Sequence, residues 1–322
     1  MIIFIGTNRQ QSNISRLKKH PLAPKFAFKS YNWLYRTFKL PAATYVFTGV
    51  DRLDFNERRL AGKVFRHIKS AGKGFDALND PAHCQGRYRL LRGLYEQGLN
   101  AFNAYLAIED PKPERFPVFI RRNSISTEPL SGLLHSQSAL DKAIAKLAQE
   151  AEPLDDLVII EFCADQFAPG VHQKISMYKI GDKVFQNYIN VGKSWMVKYG
   201  DTSLLSDEQH RLDLQKIEEN RFAQHFIKVF KQANIDYGRA DFGLYKGLPQ
   251  IYEINFNPLY LYVDSEAKNP QRRLNENFIN ESRTRAIAKL SSSGGGSIDN
   301  ISDPDITAFR LRPWRNYTPQ RY

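Results

Sequence analysis

"DFGLYKGLPQIYEINFNP", residues 241–258, sets Asp241, Glu253, Asn255 and Asn257 around a tight turn, among residues that otherwise read as core. Burying carboxylates is unfavourable unless cations, donors or a metal accompany them. "DFGLY" and "QIYEIN" alternate as two antiparallel strands joined near Gly247. Side chains two apart on a strand share a face, so Glu253 and Asn255 should point the same way, with Ile251. A three-residue loop would set Asp241 opposite Glu253, and a one-residue slip would undo that pairing. Such an oxygen-rich face suits a hard cation. Magnesium takes one or two protein carboxylates and completes its octahedron with water and phosphate oxygens. The competing reading is an edge hairpin whose acids face solvent.

The rest of the chain supplies the counter-charge. Its 322 residues carry a net charge of +12, and residues 1–50 hold Arg9, Arg16, Lys18, Lys19, Lys25, Lys29, Arg36 and Lys39 with no Asp or Glu. Such a face suits an anionic substrate or a polyanion, or is simply a solvated surface. An apolar content of 42% fits a globular protein of two or three lobes. No run of eighteen apolar residues marks a membrane span, and "MIIFIGTNRQ" reads as a buried first strand rather than a signal peptide. Cys84 and Cys163 are far apart and belong to no metal-ligand pattern, which fits a reducing cytosol and a cytoplasmic location. The seven histidines are scattered without an HExxH.

Working outward, residues 2–6, 44–50 and 75–81 read as strands. A helix lies between the last two, with Leu60, Val64, Ile68 and Ala71 on one face. That order predicts a small parallel α/β lobe over 1–75. Helices are expected over 87–100, over 138–150 behind a serine cap, as one long element over 207–235, and over 269–290. "VFIRR" (118–122) and "LVIIEFCAD" (157–165) read as strands, and 172–192 as a hairpin turning at Gly181-Asp182. "SSSGGGS" (291–297) reads as a flexible linker to a tail with Trp314, Tyr317 and Tyr322 among arginines.

"YGRADFGLYKGLPQIYEINFNP" resembles the C-terminal signature of the ATP-grasp superfamily. The resemblance spans roughly residues 75–290. It implies an α/β (α+β) fold in which a small parallel lobe (1–75) precedes an ATP-grasp domain (76–290), whose two α+β lobes enclose the nucleotide. It implies that Asp241, Glu253 and Asn255 hold magnesium on the ATP phosphates. "FPVFIRR" resembles the strand whose lysine reaches the α- and β-phosphates, with Arg121 at that position here and Arg122 beside it. Arginine binds phosphate as a fork rather than a point charge. "NSISTEPLSGLL" stands where the family has a glycine-rich lid, and Gly132 is its one glycine. "VIIEFCAD" resembles the segment that holds adenine and ribose, which implies roles for Glu161, Phe162, Cys163 and Asp165. In "QKISMYKIGDKV", Lys174 is the implied phosphate contact. "GKSWMVK" adds Lys193, Trp195 and Lys198, with Trp195 expected to pack rather than stack on a base. Arg239, two before Asp241, is either its salt-bridge partner or a ligand for a substrate carboxylate or the transferring phosphate.

The resemblance implies a ligase that uses ATP and Mg²⁺ to activate a carboxylate as an acylphosphate for attack by an amine or similar nucleophile. Kinase-like phosphoryl transfer uses the same residues. A non-catalytic polyanion-binding protein is the reading from another class. The expected substrate is a small molecule, peptide or glycan, anionic in view of the basic N-terminal residues; nucleic acid is the less favoured partner.

Overall fold

A strand covered on both faces must be apolar throughout. Ile2–Gly6 meets that condition, with every residue buried. In the computed structural model, which describes residues 1–124, 128–198, 200–260, 265 and 267–311, this strand is the centre of the first lobe. The lobe comprises β1 (Ile2–Gly6), α1 (Ser12–Ser15), β2 (Phe26–Ser30), α2 (Tyr31–Arg36), β3 (Lys39–Pro41), β4 (Thr44–Phe47), α3 (Phe55–Ser70) and β5 (Asp76–Leu78). Four strands pair in parallel in the order β2-β1-β4-β5. Asp54 and Glu57 form a reciprocal cap on α3, whose Leu60, Val64 and Ile68 are buried as the spacing predicts. β5 belongs to this sheet, so the expected boundary at residue 75 falls inside it.

The middle lobe comprises α4 (Arg87–Glu96), β6 (Ala104–Leu106), β7 (Val118–Arg122), α5 (Gln137–Gln149) and β8 (Leu157–Glu161). Its antiparallel sheet runs β6-β8-β7. The serine cap of α5 is Ser136, which accepts the Ala139 N–H at 3.2 Å; Ser138 lies within the first turn.

The third lobe follows with β9 (Gln166–Ala168), β10 (Val171–Ile180), β11 (Lys183–Gln186), β12 (Asn190–Gly192), α6 (Asp207–Glu219), α7 (Ala223–Ala233), β13 (Tyr237–Tyr245), β14 (Leu248–Asn255) and α8 (Pro270–Ala288). Its sheet runs β11-β10-β13-β14, with β9 and β12 also pairing with β10. The single helix expected over 207–235 is two helices. Asn220 takes a left-handed conformation (φ 47°) that ends α6, and its amide bonds both the Gln186 N–H and the Val184 carbonyl. Hydrophobic periodicity runs through such a break because apolar residues resume on the same side, so the pattern hides it.

Residues 297–311 do not trail away as the flexible tail expected from the preceding glycines. β15 (Ser297–Asp299) pairs antiparallel with β3, and α9 (Pro304–Leu311) buries Ile306 and Phe309. The Phe309 ring lies 5.2 Å from that of Tyr35, and the Asn300 amide donates to the Leu34 and Thr37 carbonyls. Lys63 reaches Asp303 at 2.6 Å. Trp314, Tyr317 and Tyr322 lie outside the described residues. Among the described residues no helix is long and apolar enough to cross a membrane.

One core joins the first and third lobes. Ile3, Tyr45, Phe47 and Val64 connect through Leu90 of α4 and Phe226 and Phe230 of α7 to Met177, Ala240, Phe242 and Ile254. The middle sheet has separate cores on its two faces. Truncating Phe309 to Ala should therefore destabilise the chain by about 3–5 kcal/mol, the range for a buried aromatic. Chemical denaturation reads this directly, and a free tail would give no change.

Candidate functional site

The β13–β14 hairpin turns on two residues, Lys246 and Gly247, both left-handed (φ 50° and 76°), as the favoured two-residue turn requires. The loop is one residue shorter than the sequence suggested, and uninterrupted pairing would bring Asp241 opposite Tyr252. A bulge at Tyr252 restores the pairing of Asp241 with Glu253 and of Arg239 with Asn255. The bulge also corrects a face assignment. Ile251 pairs with Phe242 and joins the core instead of lying beside Glu253. Tyr252 and Glu253 both border the cleft. Gly243 is what admits the Tyr252 side chain, whose hydroxyl sits 2.0 Å from where a β-carbon on residue 243 would be.

Asp241 is 3% exposed. Arg239 grips it with two bonds of 2.7 and 2.9 Å, the Ser176 hydroxyl donates at 2.8 Å, and Lys174 Nζ stands 3.7 Å away. Burial pushes its carboxyl pKa up, but Arg239 and Lys174, with the bonds from Arg239 and Ser176, outweigh that and hold it below the ordinary value. Glu253 is more open, with 29% of its side chain exposed. It meets Arg87 at 3.3 Å and Arg121 at 3.7 Å through one oxygen. Burial and the neighbouring Arg87 lower the pKa of Arg121, with Glu253 opposing them. Among the described residues, four cations thus meet these two carboxylates, an excess of positive charge at this end of the cleft that Glu128, Glu161 and Lys198 reduce over the whole lining.

Beside this charged end lies an apolar slot, within a cleft of about 170 Å³ between the middle sheet and the third-lobe sheet. Phe119 and Ile160 come from one sheet and Tyr252 from the other; Phe162 and Cys163 follow β8. Trp195 packs on Phe119 and Phe162, with ring centroids 4.9 and 5.5 Å apart, and so acts as a packing residue on the wall. Burial pushes the Cys163 thiol up to about 11, so it is a neutral, apolar wall group near pH 7. Across the opening Lys198 pairs with Glu128 at 2.5 Å. A larger hollow of about 610 Å³ lies at the amino ends of β4 and β5, and none of the candidate residues line it.

The fold is shared with known structures. The chain resembles the D-alanine–D-alanine ligase from Bacillus anthracis at 13% identity, over 91% of this chain and 97% of that one, with a TM-score of 0.50. It resembles the ATP-grasp ligase PsnB, solved with a phosphomimetic variant of its minimal precursor, Mg and ADP. That match has 11% identity over 89% of this chain and 97% of that one, again with a TM-score of 0.50. The chain has the ATP-grasp fold. No family model and no curated protein matches the sequence.

Within this ATP-grasp fold, Arg121, Glu161, Phe162, Cys163, Lys174, Asp241 and Glu253 come together at the cleft, with Arg239 bonded to Asp241 from the same strand. Others are placed differently. Arg122 points away from Arg121, as successive strand residues must, and pairs with Glu152. The Glu161 carboxylate is already occupied by the N–H groups of Asn103, Glu114 and Arg115 and by the Tyr105 hydroxyl. Asp165 fixes the hairpin tip, accepting the Lys246 N–H at 2.6 Å. Asn255 accepts the Asn257 N–H at 2.9 Å, which shapes the turn that follows.

Sequence reasoning missed Arg87, Ser176 and Tyr252. Arg87 left a signal: it opens α4, where the helix dipole disfavours a cation and where no acid occupies the first turn. A local rule broken without local compensation often marks a functional position. The compensation is tertiary, through Glu253 and the Arg122 carbonyl. Replacing Arg239 with Met would leave Asp241 nearly buried without its bidentate partner. We expect a loss of about 3–5 kcal/mol in urea denaturation, and a loss below about 1 kcal/mol would mean that Lys174 and Ser176 suffice.

Proposed function

We propose that the protein is an ATP- and magnesium-dependent ligase that activates a carboxylate as an acylphosphate for attack by an amine. The observation that carries this reading is the apolar slot ending in Arg121 and Lys174, with Arg87 and Arg239 paired to the Glu253 and Asp241 that line the same end. A purine ring suits the slot, and the excess positive charge suits a polyphosphate.

The donor set also fits magnesium in kind. Asp241, Glu253 and Asn255 offer only oxygen, two of them carboxylates, and Glu253 has the more open carboxylate. Glu253 and Asp241 would hold the ion, which would offset phosphate charge when bound. Arg121 and Arg87 would position the phosphate chain from the middle lobe, and Lys174 from the third. Arg239, held rigid by two of its five N–H groups on Asp241, would present remaining donors to the oxygens of the reacting carboxylate. Enclosure between the sheets keeps water from the activated acid.

ADP with magnesium should raise the melting temperature of the wild type by mass action, worth about 2.7 kcal/mol at a hundredfold excess over Kd. Glu253→Gln should lose the magnesium-dependent part of that shift. No shift with any nucleotide would overturn the reading. ADP release with a phosphorylated acceptor and no new amide would move the assignment to phosphoryl transfer.

A further inference from the structure

In an open parallel sheet, ligands bind outside the carboxyl ends of the strands, where the chain reverses its direction of growth across the sheet. In the first lobe that point lies between β1 and β4, since the chain goes from β1 out to β2 and returns on the other side of β1. The loop after β4 turns sharply there. Gly49 is left-handed (φ 60°), and a β-carbon on it would sit 1.9 Å from the Gln10 side chain of the neighbouring loop. The turn presents Asp51 and Arg52, 3.5 Å apart.

The loops at this point are bonded to the third lobe beside its site. The Asn13 side chain donates to the Asn257 carbonyl at 3.1 Å, and the Asn257 side chain to the Gln10 carbonyl at 3.4 Å, which ties the loop after β1 to the turn just past Asn255. Asp51 lies within the electrostatic reach of both Arg87 and Glu253. Its side chain is 36% open to solvent, so a ligand can reach it. Burial raises its pKa, against the pull of Arg52 and Arg87 and with added push from Glu253.

We propose that Asp51 receives the amine nucleophile of the ligase reaction as its ammonium form. The inference rests on the ligase reading above. Arg87, Arg121, Lys174 and Arg239 serve anions, so the carboxylate offered from the first lobe is where a cation settles. The ammonium gives one proton to Asp51. The nitrogen lone pair then forms the C–N bond as the acyl C–O bond to phosphate breaks, and the second nitrogen proton leaves with inorganic phosphate.

The test uses the full-length wild type with Asp51→Asn and Asp51→Glu. Calorimetry with ADP and magnesium checks the nucleotide site, which Asp51→Asn should leave unchanged. Turnover with ATP is then read as ADP release, with each of the twenty amino acids as both acid and amine. A parallel series replaces the amine with hydroxylamine, which is neutral near pH 7, and reads hydroxamate. We expect Asp51→Asn to raise the KM for the amine by about tenfold or more, the worth of one charge-assisted bond. Hydroxamate formation should persist, and Asp51→Glu should recover part of the amine affinity. Nucleotide binding with an unchanged amine KM in Asp51→Asn would overturn the proposal and leave the ligase reading standing. So would a nucleotide-binding wild type that no amine stimulates. Absence of nucleotide binding in the wild type would instead remove the ligase reading and this inference with it.

Discussion

Two carboxylates on neighbouring strands lie side by side at the cleft because, among the described residues, four cations reach them from four different elements. Arg87 comes from α4, Arg121 from β7, Lys174 from β10 and Arg239 from β13. Each ion removed from water carries a penalty of several kcal/mol, which close geometry and added hydrogen bonds must offset. Asp241 meets that requirement through a bidentate arginine and a serine. Glu253 meets it less completely, with longer contacts and more solvent. Among the described residues, this end of the cleft therefore holds more cations than carboxylates, which is the electrostatic basis of the phosphate reading.

That constraint explains the division of the molecule. Lobes one and three share one continuous core, with α4 and α7 between them. One face of the middle sheet has its own core, and the other packs with Trp195, Met196, Tyr245 and Tyr252 of the third lobe. Side chains within one dense core cannot shift independently, so the first lobe and the carboxylate-bearing sheet form one block, and the middle sheet is the wall that faces it. The strap of β15 and α9 reinforces this block at its far end, where Phe309 packs on Tyr35 and Asn300 ties to α2 and the residue after it.

The bulge at Tyr252 is a small device with large consequences. It lets a tight two-residue turn coexist with the Asp241–Glu253 pairing, and it brings an aromatic ring to the apolar slot beside the charged end. Gly243 is the matching vacancy on the neighbouring strand. One pair of strands thus supplies Tyr252 to the slot and Arg239, Asp241 and Glu253 to the charged end, and backbone hydrogen bonds rather than flexible loops hold these four in register.

The sequence by itself determined the parallel first lobe, the hairpin of Asp241 and Glu253, and the strands that carry Arg121 and Lys174. These follow from apolar periodicity and turn chemistry, which act over a few residues. Partnership was not legible. Whether Arg122 or Arg121 faces the cleft, whether the Glu161 carboxylate is open or occupied, and whether Arg87 meets Glu253 depend on side chains separated by 30 to 166 positions. The same holds for the tail. "SSSGGGS" is flexible by local propensity, yet the chain beyond it is ordered by β3 and α2, which lie more than 250 residues earlier. Local pattern fixes which face of an element is apolar; only tertiary packing decides which charge it meets, because ion pairing depends on distance in space and carries no period along the chain.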